Sequence, residues 1–257
     1  MNKIGIAAIA SALVLLSSNA YAQYAEELPS FSPVETYTCM YNEGMGPDDL
    51  DDAVDKWNKW MDKEGQTNYF ASTLVPIYFG SETFDFGWLG FYPTGAEMGA
   101  GSDHWLAKGG EHAANFAAVA DCDTHTGFAS TEVKAPADNG EEDDGQFILT
   151  FTDCKITAED ESTDILGAIG QWTAYATESG YKNGAWVMFP VYGGGGAEYD
   201  FKMVQGHDDL SSLGQDWDRY AKGDYIKAGE FNPGLYDCDD ARVYAGTVRR
   251  EIPEAEE

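Results

Sequence analysis

Apolar residues recur with helical spacing at Leu50, Val54, Trp57 and Met61, in steps of 4, 3 and 4, and again at Ile165, Ile169, Trp172 and Ala176. A stripe of that period marks the core-facing side of an α-helix. Each stripe follows an acidic start, Pro47-Asp48-Asp49 or Glu159-Asp160-Glu161, which suits the positive end of a helix. Gly65 and Gly180 stop the two helices at matching places. Strand-like runs surround them: Thr36 to Tyr41, Ala71 to Phe79 and Phe84 to Tyr92 in the first part, and Phe147 to Cys154, Ala185 to Tyr192 and Tyr199 to Gln205 in the second. Along the third run one face carries Phe84, Phe86, Trp88 and Tyr92, matched by Tyr199, Phe201 and Met203, so that face is predicted to be buried in both parts. A second helical region spans Ala96 to Val119, broken at Gly109-Gly110, with Leu210 to Lys222 as its counterpart. Last strands hold Phe128 to Val133 and Val243 to Val248.

These patterns repeat because the chain repeats. Cys39 and Cys154, Trp57 and Trp172, and Phe84-Asp85-Phe86 and Tyr199-Asp200-Phe201 each lie 115 apart. Pro76-Ile77-Tyr78 matches Pro190-Val191-Tyr192 at 114, Ala107-Lys108-Gly109 matches Ala221-Lys222-Gly223 at 114, and Asp121-Cys122-Asp123 matches Asp237-Cys238-Asp239 at 116. Landmarks in one order with drifts of one residue argue for two copies of one unit. The copies are expected at 23–134 and 146–250, joined by an acidic linker at 135–145 and followed by an acidic tail at 251–257. The linker acids Asp138, Glu141, Glu142, Asp143 and Asp144 lack the spacing of a calcium loop and its terminal Glu, so they read as a solvated connection.

Strand, helix, two strands, helix, strand is the ferredoxin-like split βαβ order, in which the strands lie 4-1-3-2. The fold class expected is α+β, with two tandem ferredoxin-like repeats. That order puts the second strand at a sheet edge, a place that tolerates Pro76 and Pro190, although a bulge would also accommodate them. It also sets the first strand beside the fourth, antiparallel. Of the three possible pairings of four cysteines, duplication favours Cys39 with Cys122 and Cys154 with Cys238. Closing loops of roughly 80 residues would contribute on the order of 4 kcal/mol each through chain entropy. Close CxxC spacing, which metal or redox chemistry prefers, is absent.

Charge and the N-terminus narrow the setting. The 45 acidic against 15 basic residues give a net charge of -30, which opposes nucleic-acid or anionic-membrane binding. Lys3, the apolar stretch Ile4 to Leu16 and Ala20-Tyr21-Ala22 read as a signal peptide over residues 1–22, with a mature chain starting near Gln23. A periplasmic or secreted protein without a membrane span is expected. In that compartment disulfides persist.

Two such units in one chain, each with a Trp-bearing first helix, resemble the dimeric α/β-barrel superfamily, which includes stress-responsive A/B-barrel, NIPSNAP-like and antibiotic-monooxygenase-like proteins. The resemblance runs over roughly Thr36 to Arg249 and is one of architecture, with no catalytic motif to transfer. It implies two sheets facing each other as an α/β barrel, an internal pseudo-dimer needing no second chain, and a pocket between sheet and helices. Some relatives hold haem through His or use His in oxygen chemistry. Here His104, His112, His125 and His207 have no histidine at the matching position of the other copy, and there is no CxxCH motif, so no cofactor and no metal are expected.

Asp85 and Asp200, embedded in matching aromatic strands, are the sharpest candidates for a general base. Their duller reading is as acceptors of turn hydrogen bonds. Glycines 193 to 196 resemble a phosphate cradle in composition only and read as a hairpin. The first copy is richer in aromatics, with Trp57, Trp60, Trp88, Tyr92 and Trp105. Trp57 and Trp172 read as core. Trp88 and Tyr92 differ from their counterparts Met203 and His207, so these four positions, with His104 and Trp105, form the candidate ligand-binding set. The function expected is binding of a small, partly apolar ligand without evident catalysis. The alternatives are a cofactor-independent oxygenase and a ligand-free structural or stress-protective envelope protein.

Overall fold

The computed structural model describes residues 29–81, 83–137, 144–158 and 164–253. The expected signal peptide, the centre of the linker, the acidic start Glu159-Asp160-Glu161 and the end of the tail lie outside the described residues. The elements run β1 (Ser32–Tyr41), α1 (Pro47–Lys63), β2 (Phe70–Tyr78), β3 (Phe86–Phe91), α2 (Gly95–Lys108), α3 (Gly110–Val119) and β4 (Ala120–Lys134). There follow β5 (Gln146–Ile156), α4 (Ile165–Glu178), β6 (Gly184–Tyr192), β7 (Phe201–His207), α5 (Leu210–Arg219), a kinked segment (Tyr220–Asp224) in which Gly223 takes φ +148°, α6 (Tyr225–Phe231), β8 (Tyr236–Cys238) and β9 (Arg242–Arg250).

Local chemistry sets the helix ends. Pro47 opens α1 and the Asp49 carboxylate accepts from the Gly46 N–H at 2.9 Å. Asp164 caps α4 by accepting from the Gly167 N–H at 2.8 Å. Beyond each helix a glycine takes positive φ, +70° at Gly65 and +84° at Gly180, and the next N–H reaches back, Gln66 to Met61 O at 2.9 Å and Tyr181 to Ala176 O at 3.0 Å. The α1 stripe is buried as predicted, at Leu50, Val54, Trp57 and Met61. In α4 Trp172 is only half-buried, because Thr173 takes the inner position and donates to Val133 O at 2.8 Å.

Every strand pair is antiparallel, and eight strands close into a barrel in the order β7-β6-β4-β1-β3-β2-β9-β5, with β5 pairing back to β7 and β8 added outside on β5. Closure corrects the expectation that β2 is an edge. The fourth strand of each half is long enough to pair within its own half and then continue onto the second strand of the other, β4 on β6 and β9 on β2. Pro76 and Pro190 are accommodated beside register shifts in those two ladders. The overhanging ends are tied down beneath the helices. Arg250 donates to Asn58, Asp62 and Gln66 O, and Asn58 donates to Arg249 O at 2.8 Å. Reciprocally, Lys134 donates to Asn183 O.

Strand alternation then makes two kinds of core. Val34, Leu74, Phe128, Leu149, Phe151, Met188, Val204 and Tyr244 fill the barrel interior. The outer faces meet the helices, with Cys39, Ala71 and Phe86 under α1, and Cys154, Val187 and Phe201 under α4. Cys39 stands opposite Cys122 and is bonded to it. Cys154 stands opposite Cys238 and is bonded to it, with a Cα separation of 4.0 Å in both pairs. Two disulfides are compatible with an oxidising compartment. Among the described residues no helix is long and apolar enough to cross a membrane.

The predicted face of the third strand needs one correction. Phe86, Trp88, Phe201 and Met203 face the helices, whereas Phe84 and Tyr199 pack with the interior cluster. The strands start only after Asp85 and Asp200, whose carboxylates accept from the Tyr41 and Ile156 N–H groups at 2.7 Å. The turn they make reverses the alternation for the preceding ring.

Candidate functional site

Trp88 on the outer face of β3 and Tyr92 just beyond its end lie in the aromatic packing beneath α1. Tyr69 lies across β3 over Gly90, where a Cβ would collide with its phenol. Its hydroxyl accepts from Trp88 Nε1 at 3.1 Å and donates to Glu35 Oε1 at 2.7 Å. The other Glu35 oxygen meets His125 Nε2 at 2.8 Å and the Tyr37 hydroxyl at 3.3 Å, and the His125 and Tyr37 rings stack at 3.9 Å. Burial pushes the Glu35 carboxyl up, but these hydrogen bonds outweigh it and hold it below the usual carboxylate range. Burial beside the same carboxylate pushes the Tyr92 phenol up to about 12.

His104 and Trp105 lie on α2 and pack on Trp60, at ring separations of 5.4 and 5.9 Å, with His104 Nε2 3.4 Å from Glu64. Met203 packs in the core under α4. His207, with no side-chain exposure, sits near Asp216 of α5, its Nδ1 3.6 Å from the carboxylate. The six candidate residues thus fall in separate helix–sheet interfaces in the two halves. Of them Trp88 alone also lines a cavity at the barrel mouth.

That cavity has a volume of 340 Å³ and takes walls from both halves. Leu74, Phe84, Phe151 and Tyr244 give it an apolar floor, while Thr36, Thr38, Asp123, Lys202 and Arg242 supply polar groups. Its origin is visible when positions 115 or 116 residues apart are compared. Thr36 stands where the second half has Phe151, Gly87 where it has Lys202, and Thr126 where it has Arg242. Small residues on one side of the mouth face large ones on the other, and the deficit in volume is the cavity. This inward-facing asymmetry is the signal that a search confined to aromatic surplus passes over.

Charge at the mouth is organised around Asp153. Its Oδ1 accepts from Lys202 Nζ and lies 3.1 Å from Arg242 Nη2, while Arg242 Nη1 reaches Asp239 Oδ2 at 2.8 Å. Lys202 Nζ also sits 4.0 Å over the Tyr199 ring. Opposite them, Asp123 is the unpaired residue where Thr38↔Thr124 gives way to Cys39↔Cys122, and it accepts from Thr38 Oγ1 at 2.8 Å. The bulge aims its carboxylate at the mouth. A second depression, 380 Å³ between β5, β9 and the start of α5, is a weaker candidate. One of its two acids, Asp209, caps α5 by accepting from Ser212 N–H at 2.7 Å.

A haem held by histidine does not fit the residues present. No histidine lines either cavity. His207 is enclosed between β7, Lys134 and Asp216, and His104 and His112 pack against Trp60. Among the described residues no group of three or more His, Cys, Asp or Glu could hold a metal ion. Asp85 and Asp200 are committed to backbone N–H groups, and glycines 193 to 196 lie in the connection between β6 and β7.

No protein-family model and no curated protein sequence matches the chain. Among solved structures, it is similar to a proposed monooxygenase from Fusobacterium nucleatum, with a TM-score of 0.52, 8% identity and coverage of 88% of this chain and 96% of that one. It is similar to a proposed monooxygenase from Lactobacillus acidophilus, with a TM-score of 0.50, 8% identity and coverage of 86% and 95%. A mutant chlorite dismutase from Candidatus Nitrospira defluvii matches with a TM-score of 0.50, 11% identity and coverage of 86% and 93%. Such identities establish the shared fold alone.

Proposed function

We propose that this protein binds a small, partly apolar ligand in the barrel-mouth cavity. The observation that carries the reading is the 340 Å³ space, with its apolar floor and convergent polar rim, at a position where one half has small residues and the other large ones. That volume is at the lower end of ligand pockets, roughly 300–1,000 Å³, and suits a compound of one or two rings. We read the two halves as tandem ferredoxin-like units, because β4-β1-β3-β2 and β9-β5-β7-β6 each follow the 4-1-3-2 order. The reading includes export to the periplasm or exterior, which the N-terminal sequence and the disulfides support.

Two neighbours are described as monooxygenases. An oxygenase reading needs a group to take a proton from substrate in this cavity, and among the described residues the carboxylate lining it is Asp123, not Asp85. Binding requires no such step and explains the site with fewer parts.

The test is Thr36→Phe, which places in the first half the ring that the second half carries at Phe151. Calorimetry with a panel of one- and two-ring compounds, neutral and charged, should show binding by the wild type and at least about tenfold weaker binding by the variant. A wild type that binds none of them, or a variant that binds equally well, would overturn the proposal.

A further inference from the structure

A buried hydrogen-bond chain that ligand binding leaves unused centres on Tyr69. Its ring is 6% exposed, in the aromatic packing beneath α1, and its hydroxyl donates to Glu35 Oε1 at 2.7 Å while accepting from Trp88 Nε1 at 3.1 Å. Glu35 Oε2 meets His125 Nε2 at 2.8 Å, and His125 is 54% exposed, so the chain leads from the buried phenol to the surface. At the matching positions the second half has Thr150, Asn183 and Ala241 in place of Glu35, Tyr69 and His125. One half of the barrel is therefore built without this chain, and the other takes a carboxylate into aromatic surroundings at a cost in desolvation. Although burial pushes the Glu35 carboxyl up, the hydrogen bonds from His125 and Tyr69 hold it below the usual range, so it is ionised at neutral pH and ready to accept a proton. The phenol does not release one by itself, because burial and then the nearby Glu35 charge hold its proton well above the ordinary tyrosine range. Loss of an electron removes that restraint, since an oxidised phenol is a strong acid. Oxidisable rings surround it, Tyr92 at 4.6 Å and Trp57 at 6.0 Å, with Trp57 in turn 5.6 Å from Trp88.

We propose that Tyr69 is a redox site that gives one electron to an outer-sphere one-electron oxidant, such as an oxidised metal complex, while its proton passes to Glu35. The phenolic O–H bond breaks, the proton crosses the 2.7 Å hydrogen bond to Oε1, and the electron reduces the oxidant. A neutral tyrosyl radical is left beside a neutral Glu35 carboxylic acid, and return of one electron reverses the transfer with the proton moving back. Trp88 keeps its N–H on the phenolic oxygen throughout. The Tyr37 hydroxyl is the more distant partner of Glu35, at 3.3 Å, and does not compete for the proton acceptor on Oε1. The proposal stands apart from ligand binding at the barrel mouth and does not depend on it.

The experiment generates ruthenium(III) tris-bipyridine by laser flash, with a cobalt(III) ammine as sacrificial acceptor, beside the intact disulfide-bonded protein. Transient absorption and freeze-quench electron paramagnetic resonance read the radical. The wild type should form a long-lived neutral tyrosyl radical, more slowly in deuterium oxide than in water. Tyr69→Phe should lose it, and Tyr92→Phe, a neighbouring ring with no bond to the carboxylate, should keep it. Glu35→Gln, which preserves size but removes the base, should slow its formation at least about tenfold. Circular dichroism should show each variant folded as the wild type is. A wild type that forms no tyrosyl radical, or forms it equally fast in both solvents, would overturn the proposal without any variant. An undiminished signal in Tyr69→Phe, its loss in Tyr92→Phe, or an unchanged rate in Glu35→Gln would overturn it as well.

Discussion

At the scale of single residues, one buried polar side chain couples stability to pH. His207 has no exposed side-chain surface, and among the described residues neither ring nitrogen has a hydrogen-bond partner. Burial lowers its pKa, Asp216 pulls it back up and Lys134 lowers it further, while Arg219 lies 3.9 Å from the same Asp216 carboxylate. The unfolded chain accepts a proton near the ordinary histidine value of 6.5, and the folded chain resists it until the pH is lower. The stability contributed by neutral His207 is therefore full above that value and is lost as pH falls toward the depressed one. Urea unfolding of the wild type between about pH 7 and 5 should show falling stability, and His207→Phe should flatten that slope. An unchanged slope would assign it to other groups. His207 was singled out in the sequence because Tyr92 stands at its matching position, but its enclosure was not legible there. That depends on Lys134 and Asp216, which lie 73 residues before it and 9 after it in the chain.

At the scale of elements, the first helix of each half was legible because its information is local. A stripe of steps 4, 3 and 4 closed by glycine specifies a helix wherever it lies. Burial depth is a separate matter. Trp57 is 4% exposed and meets Trp88, Tyr69 and Phe116 edge-on at 5.6 to 6.1 Å, whereas Trp172 is half-buried among Tyr175, Tyr181 and Tyr220. Trp57→Ala should cost about 3–5 kcal/mol and Trp172→Ala about half of that, measured by chemical denaturation. Equal costs would mean that the packing difference between the halves has no energetic weight. The face of the third strand was misjudged in the sequence at Phe84 and Tyr199 for a similar reason. Period-two alternation holds only inside a strand, and the turns at Asp85 and Asp200 fall within the run that reads as one.

At the scale of the whole molecule, each half completes the other. The β2–β9 and β4–β6 ladders, the Arg250 contacts under α1 and the Lys134 contact under α4 all cross between the halves. Unfolding of the oxidised protein should accordingly be one cooperative transition, with far-UV circular dichroism and Trp fluorescence coinciding. Two resolved steps, one per half, would contradict this reading. The amino-acid sequence by itself specified the first helix of each half and the main strands, and favoured the pairing of Cys39 with Cys122 and Cys154 with Cys238, because periodicity and matched spacings are carried along the chain, whereas α6 and β8 were not legible in it. Only the tertiary structure decided that β2 and β6 are interior strands of a closed barrel, and that the mouth is hollow where Thr36 and Gly87 sit in the same ring of strands as Phe151 and Lys202. Closure depends on long fourth strands finding partners in the other half, and a cavity is a difference between summed side-chain volumes on strands far apart in the chain. Neither quantity exists until those strands are brought together.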